Sequence, residues 1–227
     1  MHDEITAHAD DLLLPLFREV DATIERLARK RFAADPLVGE RYSRITSIVS
    51  SAYKRHGAII EHALLAALKS APHLQVWPDP LFRVSPEADM LAGSDASTIG
   101  ASLRYGAENF ARTLQVDVLV YNRDTGLLGA YECKRGFGYH DSGKKRSMLR
   151  DLRCLQMLLR SYGKERELNA NAAEAHIIFY YGQCSVGPPW ALTRADLDEH
   201  FGAAIVVPIE RVNTYFGEKL NDLLAAT

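Results

Sequence analysis

Residues 114–136, LQVDVLVYNRDTGLLGAYECKRG, constrain the fold of this chain more than any other segment. Two runs rich in Val, Leu and Tyr flank a polar turn, the pattern of a buried β-hairpin. Alternate residues of a strand share a face, so Glu132 and Lys134 point one way, with Tyr131 and Cys133 opposite. Asp117, Leu119 and Tyr121 likewise share one face of the preceding strand. An even-length loop within Asn122–Gly126 puts Asp117 on the face of Glu132. With Asp124–Thr125 as the loop, the two carboxylates lie directly across from each other. An odd loop needs a bulge to restore the pairing, which Gly126 can supply.

Ionised groups set into apolar strands are costly unless they pair or bind a cation. Two carboxylates side by side repel, and one is forced to hold a proton unless a cation lies between them. A hard divalent ion resolves the conflict, and Mg²⁺ is commonly held by one or two carboxylates together with water and phosphate oxygens. Lys134 beside such an ion can position a bound water, whose pKa the ion lowers. Without an ion, the same residues form an acid–lysine pair.

Asp117, Glu132 and Lys134 in this context resemble the PD-(D/E)XK phosphodiesterase superfamily, with its restriction-endonuclease-like fold. The resemblance covers roughly residues 50–185, with Val116 where the motif name has Pro. The literal Pro78–Asp79 is too far from Glu132 to serve and reads as a turn or strand end. The resemblance implies an α/β (α+β) core with a mixed central sheet flanked by helices. It also implies a Mg²⁺-dependent nuclease acting on DNA, with Mn²⁺ able to substitute. Asp117 and Glu132 would bind the metal with the Cys133 carbonyl as a further ligand, and Lys134 would assist the attacking water. Glu61, four residues after Gly57 in an amphipathic helix, matches a helix Glu that joins the metal site in that superfamily. Restriction or other anti-phage defence is the biology implied first, and DNA repair or recombination second.

Downstream of the hairpin, Asp141 or Ser142 can cap a helix running to about Tyr162, with Gly163 at its end. Its Arg146, Arg150, Arg153 and Arg160 fall in one sector, opposite Met148, Leu152, Leu155 and Leu159. From Lys134 to Arg166 there are ten Lys/Arg against three acids, in a chain of net charge −2. Lys144, Lys145, Arg146, Arg150 and Arg153 are therefore the expected phosphate contacts. The same stripe is equally consistent with a solvated surface, and a binding or assembly subunit without catalysis is the alternative function. Gln156 lies near the arginine sector, but its spacing to Tyr162 departs from the Gln-x-x-x-Tyr form of some superfamily members.

Residues 1–49 are expected as an N-terminal helical extension, serving as a packing layer, a homodimer surface or a DNA-contacting arm, and 50–227 as the nuclease-like domain. Helices are expected over 4–34, interrupted at Pro15, and over 42–70. VWPDPLFRVS reads as a first strand and AHIIFYYGQ as a central one. WALTRADLDEHFG reads as a helix capped at Thr193, and AIVVPIERV as a last, edge strand. The Gly/Ser/Ala-rich connection between Ser85 and Arg112 is long enough to be a functional loop, with Ser94–Thr98, Arg104 and Tyr105 as candidate contacts. Cys133, Cys154 and Cys184 form no metal-finger spacing, so a reduced, cytoplasmic setting is expected. No stretch approaches a membrane span, the acidic start MHDEITAHADD is not expected to be a signal peptide, and no P-loop or G-x-S-x-G motif occurs.

Overall fold

The hairpin forms as the alternation requires. A computed structural model describes residues 2–94, 98, 100–106 and 108–227, with side chains from residue 13 onward. Its elements in chain order are α1 (His2–Arg29), α2 (Gly39–Ser70), β1 (Leu74–Val84), α3 (Pro86–Ala92), β2 (Arg112–Asn122) and β3 (Leu127–Lys134). They continue with α4 (Ser142–Glu165), β4 (Ala172–Phe179), β5 (Ala191–Thr193), α5 (Leu197–Phe201) and α6 (Val206–Ala225). Two compact units emerge: Met1–Ala67 with Phe201–Thr227, and Leu68–His200. The expected boundary at 49/50 falls inside α2.

The second unit is a five-stranded mixed sheet in the order β1-β2-β3-β4-β5. β1, β2 and β3 run as an antiparallel meander, and β4 joins β3 in parallel. A parallel neighbour needs a crossover, and α4 provides it. One face of α4 is apolar over most of its length, burying Met148, Leu152, Leu155, Leu159 and Tyr162. They meet Leu119, Tyr121, Leu128, Ala130, Ile177 and Phe179 in one core. Asp141 caps the helix by accepting from the Lys144 amide at 2.9 Å, as expected. The helix runs past Gly163 to Glu165, because that glycine packs inside the core rather than ending the turn. A Cβ there would lie 2.7 Å from the Ala170 methyl and 3.0 Å from Leu128.

Pro78–Asp79 is neither a turn nor a strand end. It lies mid-strand in β1, where the register with β2 shifts twice. β1 is an edge strand, so its prolines forfeit no ladder bond on the open side. Asp79 is buried and accepts from the Tyr162 hydroxyl at 2.8 Å, which accounts for a carboxylate in this bulge.

The first unit holds α1, most of α2 and α6. α1 continues unbroken through Pro15, whose cost of about 3 kcal/mol is offset by the buried row Leu13, Leu16, Val20 and Leu27. The segment expected as a last strand is the start of α6. Its β-branched run AIVV suggests extension, but buried Ile209, Val212 and Phe216 recur at helical spacing. Pro208 sits in the first turn, where backbone N–H groups have no intrahelical acceptor. Within this unit His56 stacks on Phe216 with ring centres 4.8 Å apart, and its Nε2 lies 2.9 Å from Asn213 Oδ1. Thr193 caps a single 3₁₀ turn leading into α5 and is itself the last residue of β5, so the expected long helix begins later. Among the described residues, no helix is long and apolar enough to cross a membrane.

Leu158 is fully buried on α4 against the sheet. Leu158→Ala should cost about 2–5 kcal/mol, read as a lowered urea midpoint with an unchanged m-value. An unchanged midpoint would contradict this packing.

Candidate active site

β2 and β3 pair from Asn122↔Leu127 up to Val118↔Tyr131. Every pair sums to the same register, and its next step sets Asp117 opposite Glu132. The loop of four residues, 123–126, closes with the Gly126 amide bonded to the Asn122 carbonyl at 2.9 Å, with Gly126 at φ +71°. This is the even-length case. Beyond Val118 and Tyr131 the strands no longer pair, and a cleft of about 180 Å³ opens between them.

Asp117 and Gln115 line this cleft from β2, and Glu132 from β3. Met148, Asp151, Leu152 and Leu155 of α4 line another side, with Tyr131 and His176 also at its wall. Such a volume holds several waters, at roughly 30 Å³ each, or an ion with part of its hydration shell. Gln115 Nε2 donates to Asp117 Oδ1 at 3.0 Å. Lys134 reaches the cleft through an ion pair with Glu132. Their side chains stay 31% and 37% exposed, so water and ions can reach the pair. The Lys134 carbonyl accepts from the Tyr180 amide on the β4 side at 3.0 Å. Alternation along the strand then turns the Cys133 carbonyl toward β2, the side of the cleft. Glu61 lies half-buried on α2, in the other unit, and the cleft is built from the sheet unit alone.

Asp151 is a carboxylate that the sequence reading counted only as charge. It lies three residues after Met148 and four before Leu155, on the apolar stripe itself, which was the available signal. It accepts from Arg112 Nη1 at 2.7 Å. Arg112 also meets Asp89 of α3 at 2.8 Å, and Arg150 meets the other oxygen of Asp89 at 2.6 Å. Burial pushes the Asp89 carboxyl up, but the hydrogen bonds and charge of Arg112 and Arg150 outweigh it and leave it below its ordinary value.

Of the expected phosphate contacts, Arg146, Arg150 and Arg153 line one groove with Gly93 and Ser94. Arg150 is engaged with Asp89, and Arg153 donates to the Ala92 and Ser94 carbonyls at 3.2 Å each. Lys144 is exposed at the start of α4, and the Lys145 ammonium lies 5.6 Å from the Tyr139 ring centre. Gln156 donates to the Ala173 carbonyl at 2.7 Å and so ties α4 to β4. Part of the expected functional connection is the helix α3, and residues 95–97 of the Ser94–Thr98 stretch lie outside the described residues. Tyr105 accepts from the Arg83 amide at 3.1 Å and packs edge-on against Tyr162, a structural role.

Tyr131 and His176 belong to a second group of polar residues that the sequence reading did not find. Glu174 and His176 alternate on β4, and His200 comes from α5. Glu174 Oε1 lies 2.9 Å from His200 Nε2, and Oε2 lies 3.3 Å from His176 Nε2. The Tyr131 hydroxyl donates to Glu174 and lies 2.9 Å from His200 Nε2. Burial raises the Glu174 carboxyl, but the close polar groups of His176, His200 and Tyr131 more than reverse this and hold it well below the usual carboxylate range. Burial, reinforced by the Glu174 charge, lifts the Tyr131 phenol well above its ordinary value.

No protein-family model matches the chain, and neither a curated protein nor a solved structure does.

The Asp89 cluster has a definite pH signature. A carboxyl depressed in the folded state stabilises above its unfolded value of about 3.9, and the contribution fades as pH falls through the lower folded value. Asp89→Asn should therefore lower the urea midpoint at pH 7 and shrink the difference from wild type near pH 3. An equal loss at both pH values would contradict the ion-pair account.

Proposed function

We propose that the chain is a metal-dependent nuclease that hydrolyses DNA phosphodiester bonds in the β2–β3 cleft. The observation that carries this reading is the register that brings Asp117 and Glu132 to one cleft, with Lys134 bound to Glu132. The meander followed by an α4 crossover to a parallel β4 agrees with a restriction-endonuclease-like core. In this reading Asp117, Glu132 and the Cys133 carbonyl hold Mg²⁺, whose oxygen-only ligand preference suits these groups. The ion would lower the pKa of water and offset charge on a phosphoryl oxygen. Asp117 and Glu132 supply the negative charge that fixes the cation. Lys134 leaves or shares its Glu132 partner to orient the attacking water. Water then adds across one P–O bond, leaving a phosphate monoester and an alcohol. Gln115 holds the Asp117 carboxylate in place.

The DNA backbone would lie along Lys144, Lys145 and Arg146 and the groove that Arg150 and Arg153 share. A guanidinium carries five donors, so Arg150 and Arg153 retain some for phosphate. Exposed Phe137, Tyr139 and Tyr181, with Arg135 5.5 Å from two of these rings, add the mixture of aromatic and basic groups suited to nucleic acid. Restriction or another anti-phage role is the biology we attach to this activity.

One observation favours a second reading, a nucleic-acid-binding subunit without catalysis: Lys134 already neutralises Glu132. Plasmid cleavage with Mg²⁺ or Mn²⁺ separates the two. The nuclease reading expects Asp117→Ala and Lys134→Ala to lose at least about 100-fold in rate while binding DNA as wild type does. Salt-dependent binding with no cleavage under either ion would favour the second reading. Cleavage by both variants at the wild-type rate would remove the proposed site.

A further inference from the structure

The sheet carries a second cluster, on residues separate from the Asp117–Glu132 pair, and we infer that Glu174, His176 and His200 bind a transition-metal ion of the zinc class, with the Tyr131 hydroxyl or a water in the fourth position. Ligand atoms of the three residues all lie within 4.8 Å of one another. His200 Nε2 lies 2.9 Å from one Glu174 oxygen and His176 Nε2 3.3 Å from the other, so both imidazoles face the carboxylate at close to ligand spacing. Zinc bonds of about 2.1 Å put neighbouring ligand atoms roughly 3.4 Å apart. Two imidazoles and one carboxylate select zinc-like ions over Mg²⁺, which favours oxygen alone.

An independent observation points to a ligand. Both ring nitrogens of His176 are buried: Nδ1 has no hydrogen-bond partner, and Nε2 faces Glu174 Oε2 at 3.3 Å without hydrogen-bond geometry. A buried imidazole with one nitrogen unpartnered and the other poorly aligned on a carboxylate is poorly accounted for by packing and well accounted for by a missing metal bond. The surroundings hold the ligands in place. His176 sits beside Tyr131 in the parallel register, with ring centres 5.9 Å apart and planes 19° from parallel. Gly129 pairs with Glu174, and its bare Cα lets the Tyr131 ring fold back to the carboxylate. A Cβ on Gly129 would lie 2.2 Å from the Tyr131 hydroxyl. His176 and Tyr131 also border the β2–β3 cleft, which gives an ion a route in. Such an ion would pin His200 to β4 without needing the cleft to be a nuclease.

The test uses the full chain stripped with EDTA and titrated with Zn²⁺ against a chromophoric chelator, with Co²⁺ as a spectroscopic probe. The expected result is one Zn²⁺ per chain and the intense visible bands of tetrahedral Co²⁺. His176→Ala and His200→Ala should each weaken Zn²⁺ more than about 100-fold, beyond the loss expected for a merely supporting residue. Asp117→Asn and Glu132→Gln should leave it within about threefold, which separates this site from the proposed nuclease centre. Circular dichroism checks that each variant folds, and the wild-type Co²⁺ spectrum stands even where one does not. Folded wild type that takes up no stoichiometric Zn²⁺ overturns the inference, as does Zn²⁺ binding that survives both histidine substitutions or depends on Asp117.

Discussion

The rest of the sheet unit depends on where β2 and β3 stop pairing. Up to Val118 and Tyr131 the ladder is continuous, and its side chains interleave with those of α4. One residue further, each strand places a carboxylate at the point where the backbones part. Continued pairing would have pressed Asp117 and Glu132 together in a closed sheet, at a steep electrostatic cost. Divergence turns that cost into a water-accessible cleft walled by apolar α4 side chains. In the same place β3 is held firmly on its other edge by β4, so Glu132 and Lys134 stand on rigid backbone.

The residues around the cleft divide their work. Arg112 joins Asp89 of α3 to Asp151 of α4, and Arg150 takes the remaining oxygen of Asp89. These pairs hold α3 and α4 together beside the cleft. Gly136, at φ +67°, follows β3 with a Cβ position only 2.8 Å from the Phe179 backbone. That contact keeps the strand end against β4 where no side chain would fit. Tyr131, His176 and His200 gather around Glu174 as a compact polar knot within a step of the cleft, so the sheet unit carries two separate polar groups.

Much of the hairpin was legible because its signals are local. The period of two put Asp117 and Glu132 on one face for an even loop, while an odd loop with a bulge at Gly126 stayed open until the four-residue turn settled the parity. The Asp141 cap and the buried stripe of α4 were equally local. Pro78–Asp79 misled because proline ordinarily ends a strand, and only the edge position and the twin bulges permit it here. Val206–Ala225 misled because a β-branched run outweighed the slower recurrence of Ile209, Val212 and Phe216. The Glu174–His176 alternation lay hidden in a strand read for its apolar residues. His200 joins it across more than twenty residues, a partnership no local pattern announces.

The proposed nuclease centre requires Asp117 and Glu132 to share one divalent ion. Mn²⁺ titration of the EDTA-stripped protein, followed by electron paramagnetic resonance, tests this most directly. The account predicts one Mn²⁺ site that Asp117→Asn and Glu132→Gln each abolish, with the fold intact by circular dichroism. Mn²⁺ uptake unchanged by either substitution, or none in wild type, would contradict it.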